Sequence, residues 1–280
     1  GSFSVAVVDT TAPAGTIAVA GGADATPIPQ VTVTLAFGDA VGPAQMRFST
    51  DGGATWTAWQ AYATTWQLEL PAPDGVKTVL VEVADAAGNV GSAADTITLA
   101  TAPPAISVEG LPADLICGVC DVFAIRYSAA SLVAVTSISA TLDGTAIASG
   151  GTVDGFYLDA GVHVLRVTAV DVFGRVSVEE IAFRVQATIE SLICAVERAV
   201  DEGLVRPELE TSLLAKLHAA RASRDRGQAT SQANQLRAFV HELAAQRSKK
   251  IQSAFADRAT GWTNDLVSRV LAATTVAGAR

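Results

Sequence analysis

The sequence predicts a multidomain chain: two all-β sandwiches of short antiparallel strands, followed by an all-α bundle of four helices. Three observations carry this reading. First, the composition changes near position 187. Residues 1–186 hold 6 Lys+Arg against 18 Asp+Glu, a balance of −12, whereas residues 187–280 hold 13 against 10, a balance of +3. Thr, Val and Gly dominate the first part and Ala, Leu, Arg, Glu and Gln the second, a change from strand formers to helix formers. Second, apolar residues alternate with period two in VTVTLAF (31–37), TVLVEVAD (78–85), SISATLDG (137–144), HVLRVTAVD (163–171) and EIAFRV (180–185). Gly, Pro, Asp and Asn clusters punctuate them every 8–12 residues (DGG at 51–53, PAPDG at 71–75, AGN at 87–89, DG at 143–144, SGG at 149–151) with no helical pattern between. Strands without crossover helices pair antiparallel, which is the pattern of a sandwich. Third, the β part repeats itself.

The repeat is legible in VKTVLVEVADAAGNVGSAADTITLA (76–100) against VHVLRVTAVDVFGRVSVEEIAFRV (162–185). Each has an alternating strand, an Asp-x-x-Gly turn and a second strand. Asp85 and Asp171 sit where a carboxylate accepts bonds from the following backbone N–H groups, and Gly88 and Gly174 supply the positive φ of the turn. Two copies place sandwiches at 1–101, with a leading strand at 3–8, and at 102–186. Ala102-Pro103-Pro104 is the stiff joint between them.

The last segment, 187–280, reads as four amphipathic helices over 188–203, 206–226, 230–248 and 251–272, each with one apolar stripe. Pro207 suits a first helical turn and Gly227 a helix end. Trp262 lies on the stripe of the last helix. One apolar face per helix requires that the helices pack as a small bundle.

These residues carry two resemblances. VDTTAP (8–13), MRFSTDGGATWTAWQAY (46–62), Trp66-x-Leu68 and DGVKTVLVEVADAAGN (74–89) resemble the tandem immunoglobulin-like repeats of large bacterial secreted and surface proteins. The second sandwich resembles a related module through TLDGTAIASG (141–150) and LDAGVHVLRVTAVD (158–171), but has Gly174-Arg175 where such repeats end in Gly-Asn. TIESLICAVERAVDEGLV (188–205), SLLAKLHAA (212–220), ANQLRAFVHEL (233–243) and KKI (249–251) resemble the small FIMAH-type helical domain found at the C-terminus of secreted bacterial proteins. The resemblances imply a secreted or cell-surface location and upstream domains in the same chain. They attach no activity.

The composition sets further bounds. The chain has 280 residues and is 50% apolar, 17% charged and 6% aromatic, enough to build packed cores. A net charge of −9 speaks against nucleic acid as a partner. No apolar run approaches the ~18 residues of a membrane span. Gly1-Ser2 reads as a cloning scar, so the absence of a leader says nothing about export.

Four groups of residues are candidate sites. Ser49, Asp51, Gly53, Thr55 and Trp56 fit the Asp-box pattern Ser-x-Asp-x-Gly-x-Thr-Trp, which reads as a structural hairpin turn. Trp59, Tyr62 and Trp66, with Trp56, form an aromatic cluster that either stacks on sugar rings or braces the sandwich. Cys117 and Cys120 form a C-x-x-C ahead of a strand, VFAIRYSA (122–129), so a local disulfide is expected and neither a metal nor a redox helix. Cys194 is expected as a buried free thiol. Asp51, Asp74, Asp85, Asp154, Asp159 and Asp171 stand at turns; carboxylate oxygens are the ligands Ca²⁺ takes, but none of the six forms an Asp-x-Asp-x-Asp loop, so turn-making is the expected role and no cofactor is expected. No nucleophile elbow, P-loop or HExxH is present, so no catalysis is expected. The function expected is a non-catalytic spacer or interaction region of an exported protein that positions an upstream domain. The alternative is a carbohydrate-binding accessory region of a glycan-active enzyme, with polysaccharide or a cell-surface component as partner.

Overall fold

The computed structural model describes residues 9–277, with side chains through 273; the expected leading strand at 3–8 lies outside the described residues. The first sandwich contains β1 (Ala14–Val19), β2 (Ala25–Thr26), β3 (Gln30–Gly38), β4 (Pro43–Ser49), β5 (Gln60–Ala61), β6 (Thr65–Glu69), β7 (Gly75–Asp85) and β8 (Val90–Leu99). The second contains β9 (Ala105–Glu109), β10 (Ile116–Gly118), β11 (Val122–Ala130), β12 (Val135–Leu142), β13 (Thr145–Ile147), β14 (Gly151–Asp154), β15 (Gly161–Asp171) and β16 (Val176–Gln186).

The sheet orders show the duplication. The first sandwich has sheets β1-β3-β6 and β2-β8-β7-β4-β5, and the second has β9-β11-β14 and β10-β16-β15-β12-β13. Adding eight to each strand of the first gives the second. A parallel pairing recurs as well, with Ala25 opposite Thr98 in the first and Ile116 opposite Arg184 in the second. Both are immunoglobulin-like sandwiches.

The alternation read from the sequence is the alternation of burial. In β3, Val31, Val33 and Leu35 face inward while the intervening Thr32, Thr34 and Ala36 are exposed. They meet Met46, Phe48, Val79, Val81, Val83 and Ile97 of the opposing sheet in one core.

Contacts along the chain cluster into two compact units. One holds the chain up to Ala105 with Ala130–Ser137 and Ala169–Ser177; the other holds Ile106–Ala129, Ile138–Thr168 and everything from Val178. The second unit includes all four helices: α1 (Ile189–Asp201), α2 (Pro207–Asp225), α3 (Ala229–Gln246) and α4 (Ser253–Ala277). A capping box starts α1: Thr188 Oγ1 accepts from the Ser191 N–H (3.0 Å) and Ser191 Oγ accepts from the Thr188 N–H (2.9 Å). Pro207 opens α2, and Gly227 follows its end at φ +70. No helix among the described residues is long and apolar enough to cross a membrane.

The helices do pack on one another, but their core is also the core of the second sandwich. Ile125, Leu165, Val167, Phe183 and Val185 from the strands join Leu192, Leu213, Leu236, Phe239, Phe255 and Trp262 from the helices in one cluster. The joint centres on a single 3₁₀ turn, Gly155–Tyr157, capped by Asp154, whose Oδ1 accepts from the Phe156 N–H (3.0 Å). The Phe156 ring stacks on Phe255 at 5.6 Å and meets Trp262 at 6.0 Å. Trp262 Nε1 donates to the Leu158 carbonyl (2.8 Å), so this indole is wholly buried with its polar edge satisfied by a strand-side residue. Arg198 of α1 forks onto Asp154 at 2.9 and 2.6 Å and lies 4.4 Å over the Phe156 ring.

The cysteines correct the sequence reading. Cys120 is bonded to Cys194 of α1, 74 residues away with Cα atoms 6.3 Å apart, and Cys117 is the free thiol. Cys117 points into the core and is fully buried, and burial pushes its thiol up to about 11, helped by Asp121 and Asp154. Cys120 stands in the turn after β10, where α1 lies against the sandwich. Spacing alone paired the two nearest cysteines because it carries no information about which helix packs there.

Candidate metal centre and aromatic cluster

The Asp-box is a closed turn. Asp51 Oδ1 accepts from the Ser49 hydroxyl (2.7 Å) and the Thr55 N–H (2.9 Å), and Oδ2 from the Thr55 hydroxyl (2.5 Å). Ser49 Oγ accepts from the Gly53 N–H (2.9 Å), and Trp56 Nε1 donates to the Gly53 carbonyl (3.1 Å). The Thr55 hydroxyl, then its N–H, then Ser49 hold the Asp51 carboxyl at about 2. The polar side-chain groups of Ser49, Asp51, Thr55 and Trp56 all bond within the turn.

The aromatic cluster is mostly occupied. The Arg47 guanidinium lies 4.9 Å from the Trp56 ring and 4.6 Å from the Trp59 ring, and its Nε donates to Glu82 (2.7 Å). The Tyr62 hydroxyl accepts from the Phe37 N–H (3.2 Å) while its ring packs on the core. Trp66, on the edge strand β6, is 39% exposed beside Thr32, Thr65 and Gln67. Trp66 is the exposed ring of the four, while Trp56, Trp59 and Tyr62 are half-buried.

The six turn aspartates separate into distinct roles. Asp74 is held low by the Ala102 N–H (2.9 Å) first and the Thr101 hydroxyl (2.7 Å) second, and it also accepts from the Thr101 N–H (2.6 Å). Asp154 is taken by Arg198, and the Asp159 carbonyl faces the ring of His163 (2.9 Å). Among the described residues, Asp85 is the one of the six that joins a group of three carboxylates. Asp9, Asp39 and Asp85 each offer an oxygen, all within 4.8 Å of one another.

The fold brings these three together from distant places. Asp9 precedes β1, Asp39 follows β3 and Asp85 ends β7. Asp85 is 5% exposed. Its Oδ1 accepts from the N–H groups of Ala87 (2.8 Å) and Asn89 (2.9 Å), and its Oδ2 from the Asn89 amide (2.8 Å). The Asn89 side chain is the main reason that this carboxyl is lowered. The same amide donates to the Asp9 main-chain oxygen (3.1 Å). Asp9 and Asp39 each spend one oxygen on a local turn, on Thr11 N–H (3.0 Å) and Val41 N–H (2.9 Å). The other oxygen of each, Asp9 Oδ2 and Asp39 Oδ1, is buried without a hydrogen-bond partner. Such orphaned acceptors cost roughly 1–3 kcal/mol each, more when charged. Carboxylate oxygens at these separations fit around one hard cation with a radius of about 2.4 Å to oxygen, as calcium has.

The second repeat offers an internal comparison. Asp171 makes the same turn as Asp85: Asp85 N–H bonds the Asn89 carbonyl and Asp171 N–H the Arg175 carbonyl, both at 3.1 Å. Arg175 then stands where Asn89 stands. Its Nε donates to Asp171 Oδ2 (2.8 Å) and its Nη1 to the Ala100 carbonyl, just as Asn89 joins Asp85 to the Asp9 carbonyl. Burial alone would raise the Asp171 carboxyl, but the Arg175 hydrogen bonds and charge outweigh it and hold the group low. The second turn thus carries its own cation. Sequence reading noted the Gly174-Arg175 departure and Asp85, but missed Asp9 and Asp39, which have no acidic neighbours in sequence.

No family model and no curated protein matches the sequence. Among solved structures, similar chains include modules of a 1.5-MDa bacterial ice-binding adhesin (TM-score 0.34, 17% identity, 63% of this chain and 65% of that one). A Ca²⁺-stabilised adhesin of an Antarctic bacterium (0.30, 18%, 64% and 50%) and the fibronectin(III)-like modules of Clostridium thermocellum CbhA (0.30, 11%, 61% and 94%) are also similar. The chain spans half the length of the second of these.

Proposed function

We infer that this chain is a non-catalytic spacer and interaction region of a large exported bacterial protein, and that it positions an upstream domain. The observation that carries the reading is the Asp9–Asp39–Asp85 cluster. Asp9 belongs to the incoming chain, while Asp39 and Asp85 belong to two loop ends of the first sandwich. A calcium ion held by all three would fix the incoming chain on the sandwich and so fix the direction in which an upstream domain is held. The Cys120–Cys194 bond supports export, because such bonds persist in oxidising compartments. The helical part is taken as a FIMAH-type domain on the residues of 188–251 quoted above.

The test is limited proteolysis of the full chain with calcium and with chelator. Calcium should protect the segment preceding β1 from cleavage. Equal cleavage in both conditions would remove the support for a clamp. Carbohydrate binding remains as a second reading on the exposure of Trp66 alone. Trp fluorescence titration of the chain with soluble glycans, lost in Trp66→Ala, would favour it.

A further inference from the structure

The joint that leads into the second repeat has a counterpart ahead of the first. Ala100-Thr101-Ala102-Pro103-Pro104 runs straight into β9, and Asp9-Thr10-Thr11-Ala12-Pro13 runs straight into β1. The two segments meet the repeat that follows them at the same positions. The Ala100 carbonyl accepts from Arg175 and the Asp9 carbonyl from Asn89 (3.1 Å). Further along, the Pro104 carbonyl accepts from the Ser177 hydroxyl (2.5 Å). The Pro13 carbonyl stands where a Cβ on Gly91, the counterpart of Ser177, would be.

The second joint is also held by the repeat that precedes it. Asp74, in the turn between β6 and β7, accepts from the Thr101 N–H (2.6 Å), the Thr101 hydroxyl (2.7 Å) and the Ala102 N–H (2.9 Å). One carboxylate thus fixes the chain as it leaves a sandwich, and Arg175 and Ser177 fix it as it enters the next. Ala169–Ser177, which carries both of these, and Ala130–Ser137 belong to the same compact unit as the first sandwich. Their counterparts in the first repeat are the Asp85–Asn89 turn and the β3–β4 loop with Asp39, the rim that carries the carboxylate cluster.

At the first joint Thr10 stands where Thr101 stands at the second. Thr10 is exposed, and its N–H and hydroxyl have no partner among the described residues. Thr11, in the place of Ala102, gives its N–H to the Asp9 carboxyl (3.0 Å). Two donors therefore remain in the position that Asp74 caps at the second joint. We propose that this rim docks the end of a further sandwich of the same kind, whose β6–β7 turn offers a carboxylate to Thr10. The three carboxylates of the rim repel a fourth, and a calcium ion among them offsets that repulsion. The inference thus rests on the calcium clamp of the proposed function.

The experiment extends the full chain by a copy of its own Ala14–Leu99, joined ahead of Asp9 in place of residues 1–8 so that the Leu99–Ala100 spacing is kept. Hydrogen exchange of the Thr10 amide is read by mass spectrometry with residue-level fragmentation, with calcium and with chelator. In calcium, the extension should slow this amide about tenfold or more, as a charge-assisted bond does. Asp74→Ala in the added copy alone should restore the rate of the unextended chain, and Asp74→Asn there, which keeps one acceptor oxygen, should fall between. In the unextended chain, Asp74→Ala should speed the Thr101 and Ala102 amides in the same way. If calcium fails to protect the segment before β1 from proteolysis in the unextended chain, the clamp falls and this inference with it. If calcium protects there but the extension leaves the Thr10 amide unchanged, or Asp74→Ala in the added copy leaves it slow, this inference alone is overturned.

Discussion

Asn89 and Arg175 hold the same position in the two repeats, and each ties its turn aspartate to a main-chain oxygen of the preceding segment. Arg175 brings a positive charge and Asn89 does not. The first turn instead faces two further carboxylates with buried, unpartnered oxygens. Exchanging these residues should exchange the cation dependence. Calcium should raise the melting temperature of the wild-type chain. In Asn89→Arg the guanidinium should replace the ion, so that the melting temperature no longer responds to calcium. In Asp39→Ala the response should also vanish, with the chelated protein little changed or slightly more stable. Differential scanning fluorimetry with calcium and with chelator reads all three.

The covalent bond joins a sandwich turn to a helix. A cross-link closing a loop of 74 residues stabilises by about 4 kcal/mol in the chain-entropy account. Cys194→Ser should therefore lower the urea midpoint of the second unit strongly. Cys117→Ser should cost less and leave the cross-link in place. Peptide mapping under non-reducing conditions should recover Cys120 joined to Cys194. The native protein should show no thiol reactive to an aqueous reagent, because Cys117 is buried and its thiol held at about 11, and one should appear on unfolding.

Second sandwich and helices share one core, so they should melt together. Trp262→Ala removes a buried ring that touches Phe156 and Phe255 and caps the Leu158 carbonyl. A loss of about 3–5 kcal/mol is expected. It should appear at the same urea midpoint in the helical and the strand signals of circular dichroism. Loss of the helical signal alone would contradict a common core. Phe156→Ala should couple to Trp262→Ala non-additively, as residues in contact do.

The acid limb of stability should come from both units. Asp51, Asp74, Asp85 and Asp171 of the first unit, and Glu190, Glu202, Glu208 and Asp257 of the second, are all held below the usual carboxylate range. A depressed carboxyl contributes stability above its unfolded value near 4 and loses it as pH falls through the folded value, here down to about 2 for Asp51. The first unit should therefore be constant in stability between pH 8 and about 5, and weaken progressively between about 4 and 2. Asp51→Asn should flatten part of that slope, measured by urea unfolding of the chain across the pH series.

The parts of this fold that depend on local pattern were legible. The alternation of Val31, Val33 and Leu35 defines β3 and its buried face, and Pro207 and Gly227 mark helix ends that the structure keeps. The Asp85/Asp171 echo implied two sandwich copies; that their strand orders also match is visible only in the structure. What depends on long-range packing was not legible. A stripe on α4 shows that Trp262 is buried but not that a 3₁₀ turn of the second sandwich buries it. The cysteine pairing fails for the same reason: three thiols in sequence allow three pairs, and only the docking of α1 chooses among them. Asp9 and Asp39 carry no motif. They become a site with Asp85 because β3 and β7 end near one another in one sandwich, which brings Asp39 to Asp85 across 46 residues of chain.

The central claim is that the first repeat recruits a cation where the second carries its own. Calcium titration of the full, chelator-stripped chain by isothermal calorimetry tests it most directly. The account predicts one equivalent of calcium per chain for the wild type, none for Asn89→Arg and none for Asp39→Ala. Failure of the wild type to bind, or unaltered binding in Asn89→Arg, would contradict it.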